Sequence, residues 1–181
     1  MPLPVLLFGP SYLRFTHLST DISLSSLSCG NPGKSTDLLV THNWIPPPTG
    51  WIRVNCDAAV GDLVAGLGVV VRDCLGRPLL VAGRRMLSQA VDMMETQALL
   101  MVLDMIRDLL PLYRAVELQS DSMMAIQEVR KLMSLTPGSG VFAATIQYAS
   151  GVEAVRFLHI LRDGNKLADW AARAACSNDF V

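Results

Sequence analysis

The chain has 181 residues, of which 51% are apolar and 17% charged, and its formal net charge is -1. That length supports one good core rather than two, and so even a charge balance excludes a global field that would draw the molecule onto nucleic acid or anionic lipid. Four scattered cysteines, Cys29, Cys56, Cys74 and Cys176, lack C-x-x-C spacing, which argues against zinc and for a reducing intracellular compartment.

The opening, MPLPVLLFGPSYLRF, faintly resembles a secretory signal but has no basic n-region and carries prolines near both ends of its apolar run; the serine-rich stretch Ser19 to Ser28 is compatible with an organelle address, against which Arg14 is the only basic residue before Lys34. Residues 1–43 mix Ser, Thr, Pro and Gly without a sustained period, the pattern of a poorly ordered arm. The domain is expected over 44–176, with 177–181 as a tail. WIPPPTG, with three successive prolines, can be neither helix nor central strand and reads as an extended lead-in.

From Trp51, the apolar residues Ile52, Val54 and Cys56 alternate with Arg53, Asn55 and Asp57, which predicts a strand with two unlike faces, ending at Asp57. Val64 to Arg72 and Pro78 to Met86 predict two more strands around a turn at Asp73 to Gly76. Met94, Ala98, Met101, Val102 and Met105 then recur at helical spacing, and Pro111 is expected to close that helix. Val116 to Ser120 is a short strand, after which Asp121 and Ser122 can cap a helix reaching about Met133. Beyond the breaker LTPGSG, a helix over Val141 to Ala149 and a strand over Val152 to Leu161 follow. Asp163, Gly164 and Asn165 are expected to turn the chain, Asn165 capping a final helix over Lys166 to Cys176. No apolar run reaches the roughly 20 residues of a bilayer span, so the chain reads as a soluble monomer without a membrane partner, in nucleus or cytoplasm ahead of an organelle.

Three adjacent strands followed by strand–helix alternation bring the ends of the first and fourth of these strands together, and with them Asp57 and Asp121. Glu95 lies in the first turns of the helix after the meander, and Asp169 in the first turn of the last helix. Carboxylates gathered without counter-charge raise one another's pKa, a conflict that divalent metal resolves; oxygen-only ligands favour Mg²⁺ or Mn²⁺.

Asp57 at a strand end, Met94-Glu95, Ser120-Asp121-Ser122 and Asp169-x-x-Ala-Arg-Ala-Ala, in that order, resemble the type 1 ribonuclease H domain. GWIRVNCDAAV, GLGVVVRDCLGRPL and HILRDGNKLADWAARAA look like the reverse-transcriptase-like subgroup abundant in plant genomes and related to non-LTR retrotransposons. The resemblance implies an α/β fold, a five-stranded mixed sheet in the order βββαβα(α)βα flanked by helices. It implies endonucleolytic hydrolysis of the RNA strand of RNA/DNA hybrids with two Mg²⁺ or Mn²⁺ ions. Asp57, Glu95, Asp121 and Asp169 would be catalytic metal ligands, Asp57 and Asp121 flanking ions and phosphate, Glu95 beside the RNA 2′-hydroxyl and Asp169 nearest the attacking water. Ala58, Ser122, Arg162 and Asn165 would contact substrate.

This chain departs from that pattern in three places. The loop before the last helix, Leu161-Arg162-Asp163-Gly164, has no histidine; His159 lies upstream, where a strand position with a local hydrogen bond is its plainer reading. Gln89-Ala90-Val91-Asp92 stands where the family carries an asparagine-rich segment, and no basic protrusion follows Asp121. Two alternatives therefore stay open: a weak or inactive retroelement-derived domain that binds nucleic acid or protein, and a 3′ to 5′ exonuclease. The latter usually carries a second acid two positions after the first, where this chain has Ala59.

Overall fold

The computed structural model describes Leu13–Arg14, residues 44–106, residues 109–135 and residues 154–177. Its strands are β1 (Leu13–Arg14), β2 (Trp51–Val60), β3 (Val64–Arg72), β4 (Pro78–Leu87), β5 (Ala115–Ser120) and β6 (Ala154–His159). Its helices are α1 (Val91–Ile106), α2 (Met123–Leu135) and α3 (Arg162–Ser177), with a 3₁₀ turn at Leu110–Leu112. They form one mixed sheet in the spatial order β1-β4-β3-β2-β5-β6. The five expected strands are all present, and Leu13–Arg14 extends the sheet by pairing antiparallel with β4. The helix expected over Val141 to Ala149 lies outside the described residues.

The period-2 pattern of β2 is what divides the molecule into layers. Ile52, Val54 and Cys56 join Leu67, Val69, Val71, Val116 and Leu118 on one face, where Met94, Leu99, Val102 and Ile106 of α1 and Ile126 and Val129 of α2 complete the core. The other face is covered by α3, which buries Ala168, Ala171, Ala172 and Ala175. Covered on both sides, β3 reads as a continuous apolar run rather than an alternation.

Two glycines in β3 let α3 lie this close. A Cβ on Gly66 would stand 2.0 Å from the Ala172 carbonyl oxygen, and one on Gly68 2.3 Å from that of Ala168 and 2.4 Å from the Ala172 nitrogen. These are backbone atoms, so no side chain can swing away. Gly68→Ala is expected to destabilise by at least about 2 kcal/mol, read as a shift of the urea midpoint. Gly164→Ala, whose Cβ would meet only Ile160 Cδ1 at 3.8 Å and the Trp44 nitrogen at 3.9 Å, should leave it nearly unchanged.

Several boundaries differ from expectation. β2 continues past Asp57 to Val60 because its antiparallel ladder with β3 runs on to the pair Val60 and Ala65, whereas its parallel ladder with β5 stops at Asn55 and Gln119. Pro111 does not close α1, which ends at Ile106; it sits at the start of the 3₁₀ turn, where a missing N–H costs nothing. The last helix begins at Arg162, so Asp163, Gly164 and Asn165 form its first turn and Asp169 lies in its second. First-turn N–H groups have no intrahelical partner, and Asp163 there complements the helix dipole, so these turn-forming residues are tolerated as helix.

Candidate active site

The β2–β5 register carries Asp57 and Asp121 to one place. Asn55 lies opposite Gln119, and two further steps along each strand direction lead to the aspartates. Glu95 comes from α1 on the other face and meets them where that ladder ends. One ligand oxygen from each of Asp57, Glu95 and Asp121 lies within 4.8 Å of the others. Asp121 is turned inward because Ser122, not Asp121, caps α2: its Oγ accepts the Ala125 N–H at 3.2 Å.

The cluster is strained electrostatically. Burial first, and the Asp121 charge next, push the Asp57 carboxyl up to about 7; the Ala58 N–H, 3.0 Å from Asp57 Oδ1, and the Arg162 guanidinium oppose this. Burial, then the charges of Asp57 and Asp121, then a hydrogen bond with Asp57 push Glu95 up to about 8. Near neutral pH, then, this pair retains a proton that isolated carboxylates would have lost. Glu95 Oε2 is buried with no hydrogen-bond partner. A lone acceptor beside two more carboxylates fits a divalent cation, whose charge would replace that proton. Cys56 is a bystander, since burial pushes its thiol well up and it stays a weak donor to the Gln119 carbonyl at 3.5 Å.

Asp169 stands apart from the three. Its Oδ1 accepts from Arg173 Nε at 2.9 Å one helical turn on, yet its charge still raises the Asp57 carboxyl. Arg162, 86% exposed, places Nε 3.3 Å from Asp121 Oδ2. The pair raises the Arg162 pKa, through the hydrogen bond first and the Asp121 charge second. His159 Nε2 lies 3.1 Å from the Asp121 carbonyl oxygen; because a carbonyl only accepts, the ring donates there. Ala58 packs against the core and offers the Asp57 carboxylate its backbone N–H.

Asn165 does not serve as a helix cap. Nearly fully buried, it donates from Nδ2 to the Cys56 carbonyl at 3.0 Å and to Asp121 Oδ1 at 3.1 Å, and accepts from Asn55 Nδ2 at 3.2 Å. Behind it lies a buried polar layer that the sequence reading missed. Arg53 pairs with Glu117 at 2.5 Å, and Gln119 donates to Glu117 at 3.0 Å and accepts from Asn55 at 3.1 Å. Arg72 donates to Asn55 Oδ1 at 2.7 Å, with its guanidinium 3.5 Å from the Trp44 ring centroid. The available signal was parity: Arg53, Asn55 and Asp57 on β2, and Glu117 and Gln119 on β5 with Asp121 just past its end, recur at every second position of two paired central strands.

The same architecture occurs in solved ribonucleases H. RNase H1 from the halophilic archaeon Halobacterium salinarum aligns over 71% of this chain and 98% of its own, with TM-score 0.56 and 18% identity. LC11-RNase H1, isolated from compost by a metagenomic approach, aligns over 74% of this chain and all of its own, with TM-score 0.56 and 21% identity. The structure of LC11-RNase H1 in complex with an RNA/DNA hybrid aligns over 72% and 99%, with TM-score 0.53 and 20% identity. At these identities the likeness establishes the fold. No curated protein matches. The family model described as reverse transcriptase-like matches residues 55–175, a span that takes in Asp57, Glu95, Asp121 and Asp169. On that match, and on the ribonuclease H fold that carries it, the chain belongs to the reverse transcriptase-like family.

Proposed function

We propose that this protein is a metal-dependent endonuclease that hydrolyses the RNA strand of RNA/DNA hybrids. The observation that carries the reading is the convergence of Asp57, Glu95 and Asp121, from three separate elements, on one point of a ribonuclease H-like sheet. Structural similarity to a ribonuclease H bound to an RNA/DNA hybrid supports the choice of substrate.

Asp57, Glu95 and Asp121 would hold Mg²⁺ or Mn²⁺, with Asp169 joining them for a second ion. Bound there, the cations supply charge stabilisation at phosphate and an acidified water. The chain's own residues prepare the site. Asn165 donates to Asp121 Oδ1 and the Ala58 N–H to Asp57 Oδ1, so each steadies one oxygen of its carboxylate. Asp169 must leave Arg173 to take part, at small cost, because that pair lies at the surface and such pairs contribute only about 0–1 kcal/mol. Arg162 must likewise leave Asp121, and the released guanidinium is then positioned to meet a phosphate.

A labelled hybrid incubated with Mg²⁺ or Mn²⁺ tests this. Cleavage within the RNA strand, absent with single-stranded RNA or duplex DNA and abolished by EDTA, is the expected result. No cleavage above that of Asp57→Asn rejects it.

The second reading, a retroelement-derived domain that binds without useful catalysis, is favoured by one feature: Arg162 and Arg173 engage Asp121 and Asp169 internally. Metal-independent hybrid binding without hydrolysis is its signature.

A further inference from the structure

The buried layer behind the carboxylates has a direction. Arg72 can only donate, and it donates to Asn55 Oδ1. The Asn55 NH₂ is thereby turned toward Gln119 Oε1 and Asn165 Oδ1. Gln119 is held in the same sense from its other end, because Glu117, paired with Arg53, can only accept. Asn165 is left with its NH₂ facing the Cys56 carbonyl and Asp121, two acceptors. Every end of the network is a group whose polarity cannot reverse.

An amide turned over by 180° keeps its shape and reverses its hydrogen bonding. Turned over, Asn165 would present a carbonyl oxygen to the Asp121 carboxylate and repel it. We propose that Asn55 is a positioning residue: by presenting an N–H rather than an acceptor to Asn165 Oδ1, it leaves the Asn165 amide in the one sense that aims an N–H donor at Asp121. Asn55 is 0% exposed and lies one hydrogen bond behind Asn165, so it acts through that residue. The consequence for cation affinity rests on the metal-site reading above; the orientation itself does not.

Asn55→Asp keeps the shape and the bond from Arg72 but removes the donor toward Asn165. Asn55→Leu removes both functions, leaving Asn165 held in its present sense by Asp121 and the Cys56 carbonyl. Coulomb attraction alone predicts tighter Mn²⁺ binding for Asn55→Asp, since a negative charge is added near the site. Lost positioning predicts the opposite. The expected calorimetric result is a Kd for Mn²⁺ raised about 10-fold in Asn55→Asp, the lower end of what outer-sphere partners of metal ligands usually contribute. Asn55→Leu is expected to stay within about 3-fold of wild type even if it melts earlier, because its cost falls on the Arg72 donor and the Gln119 acceptor left without a partner rather than on amide orientation.

The second measurement needs no metal. In ¹⁵N–¹H spectra of the metal-free protein, the Asn165 side-chain amide signals should move further in Asn55→Asp, where the amide turns over, than in Asn55→Leu, where it only loses one bond. Signals that move no further in Asn55→Asp than in Asn55→Leu overturn the inference, as does Mn²⁺ binding by that variant as tight as wild type or tighter. A wild type that binds no Mn²⁺ rejects the metal site alone, and the amide signals then decide the orientation.

Discussion

Asp57→Asn is expected to lower hybrid cleavage by at least about 10³-fold in single-turnover assays, a loss of roughly 4 kcal/mol of transition-state stabilisation. Asparagine matches aspartate in shape, and its Oδ1 can keep the 3.0 Å bond from the Ala58 N–H. What changes is the other end of the group. An NH₂ replaces a ligand oxygen and points toward Glu95 and Asp121, neutralising by hydrogen bonding the charge that would attract a cation. Affinity for the cation and the field at the reacting phosphate are therefore lost together. Asp62, exposed in the β2–β3 turn, is the matched control: Asp62→Asn removes the same charge and should stay within about 2-fold of wild type, as surface changes away from a site usually do. Cleavage by Asp57→Asn within 10-fold of wild type would take the cluster out of the chemistry.

Much of this site was legible because each carboxylate sits in a segment with its own local signature. The alternation of β2 predicts a strand, the Met94–Met105 stripe a helix and the Asp121-Ser122 pair a helix start. A strand–helix alternation then brings the first and fourth strands of that set together. The convergence of Asp57, Glu95 and Asp121 follows from these local patterns plus the parallel pairing of β2 with β5. What was not legible depends on which surface covers a face. Arg53, Asn55, Glu117 and Gln119 look like solvated positions along their strands, and what takes them out of water is cover from distant parts of the chain, Asn165 of α3 against Asn55 and the Trp44–Ile45 lead-in against Arg53. Once buried they must find partners, and the cheapest partners are one another. Asn165 departs from the expected cap for a related reason. Its composition suits a cap, but burial turned its side chain across the sheet to Cys56 and Asp121 rather than back to its own helix. The placement of Asp169 illustrates the reverse case, where the motif specifies the helix but the i, i+4 arginine decides where its carboxylate points.

The same substitution that removes activity should stabilise the metal-free fold. The folded-state pKa values of Asp57 and Glu95, about 7 and about 8, lie above those of unfolded carboxylates near 4. Between those limits the folded chain binds more protons than the unfolded chain, so stability is greatest below about pH 4 and falls as pH rises through 7 to 8. Wild type in EDTA is expected to lose on the order of 2 kcal/mol between pH 5 and pH 8 from this source, a figure reduced from the full shifts because the pair is coupled. Asp57→Asn abolishes one titration. It also relieves the other, since the Asp57 charge and its hydrogen bond are the causes, after burial, that hold Glu95 up. Its urea midpoint should therefore change less with pH and exceed that of wild type at pH 8. Saturating Mn²⁺ should restore wild type at pH 8 by about 3 kcal/mol at 100 times Kd and leave Asp57→Asn almost unaffected. Parallel pH profiles for the two proteins in EDTA would mean that the carboxylates are better solvated than their burial implies, and that they need no cation to coexist.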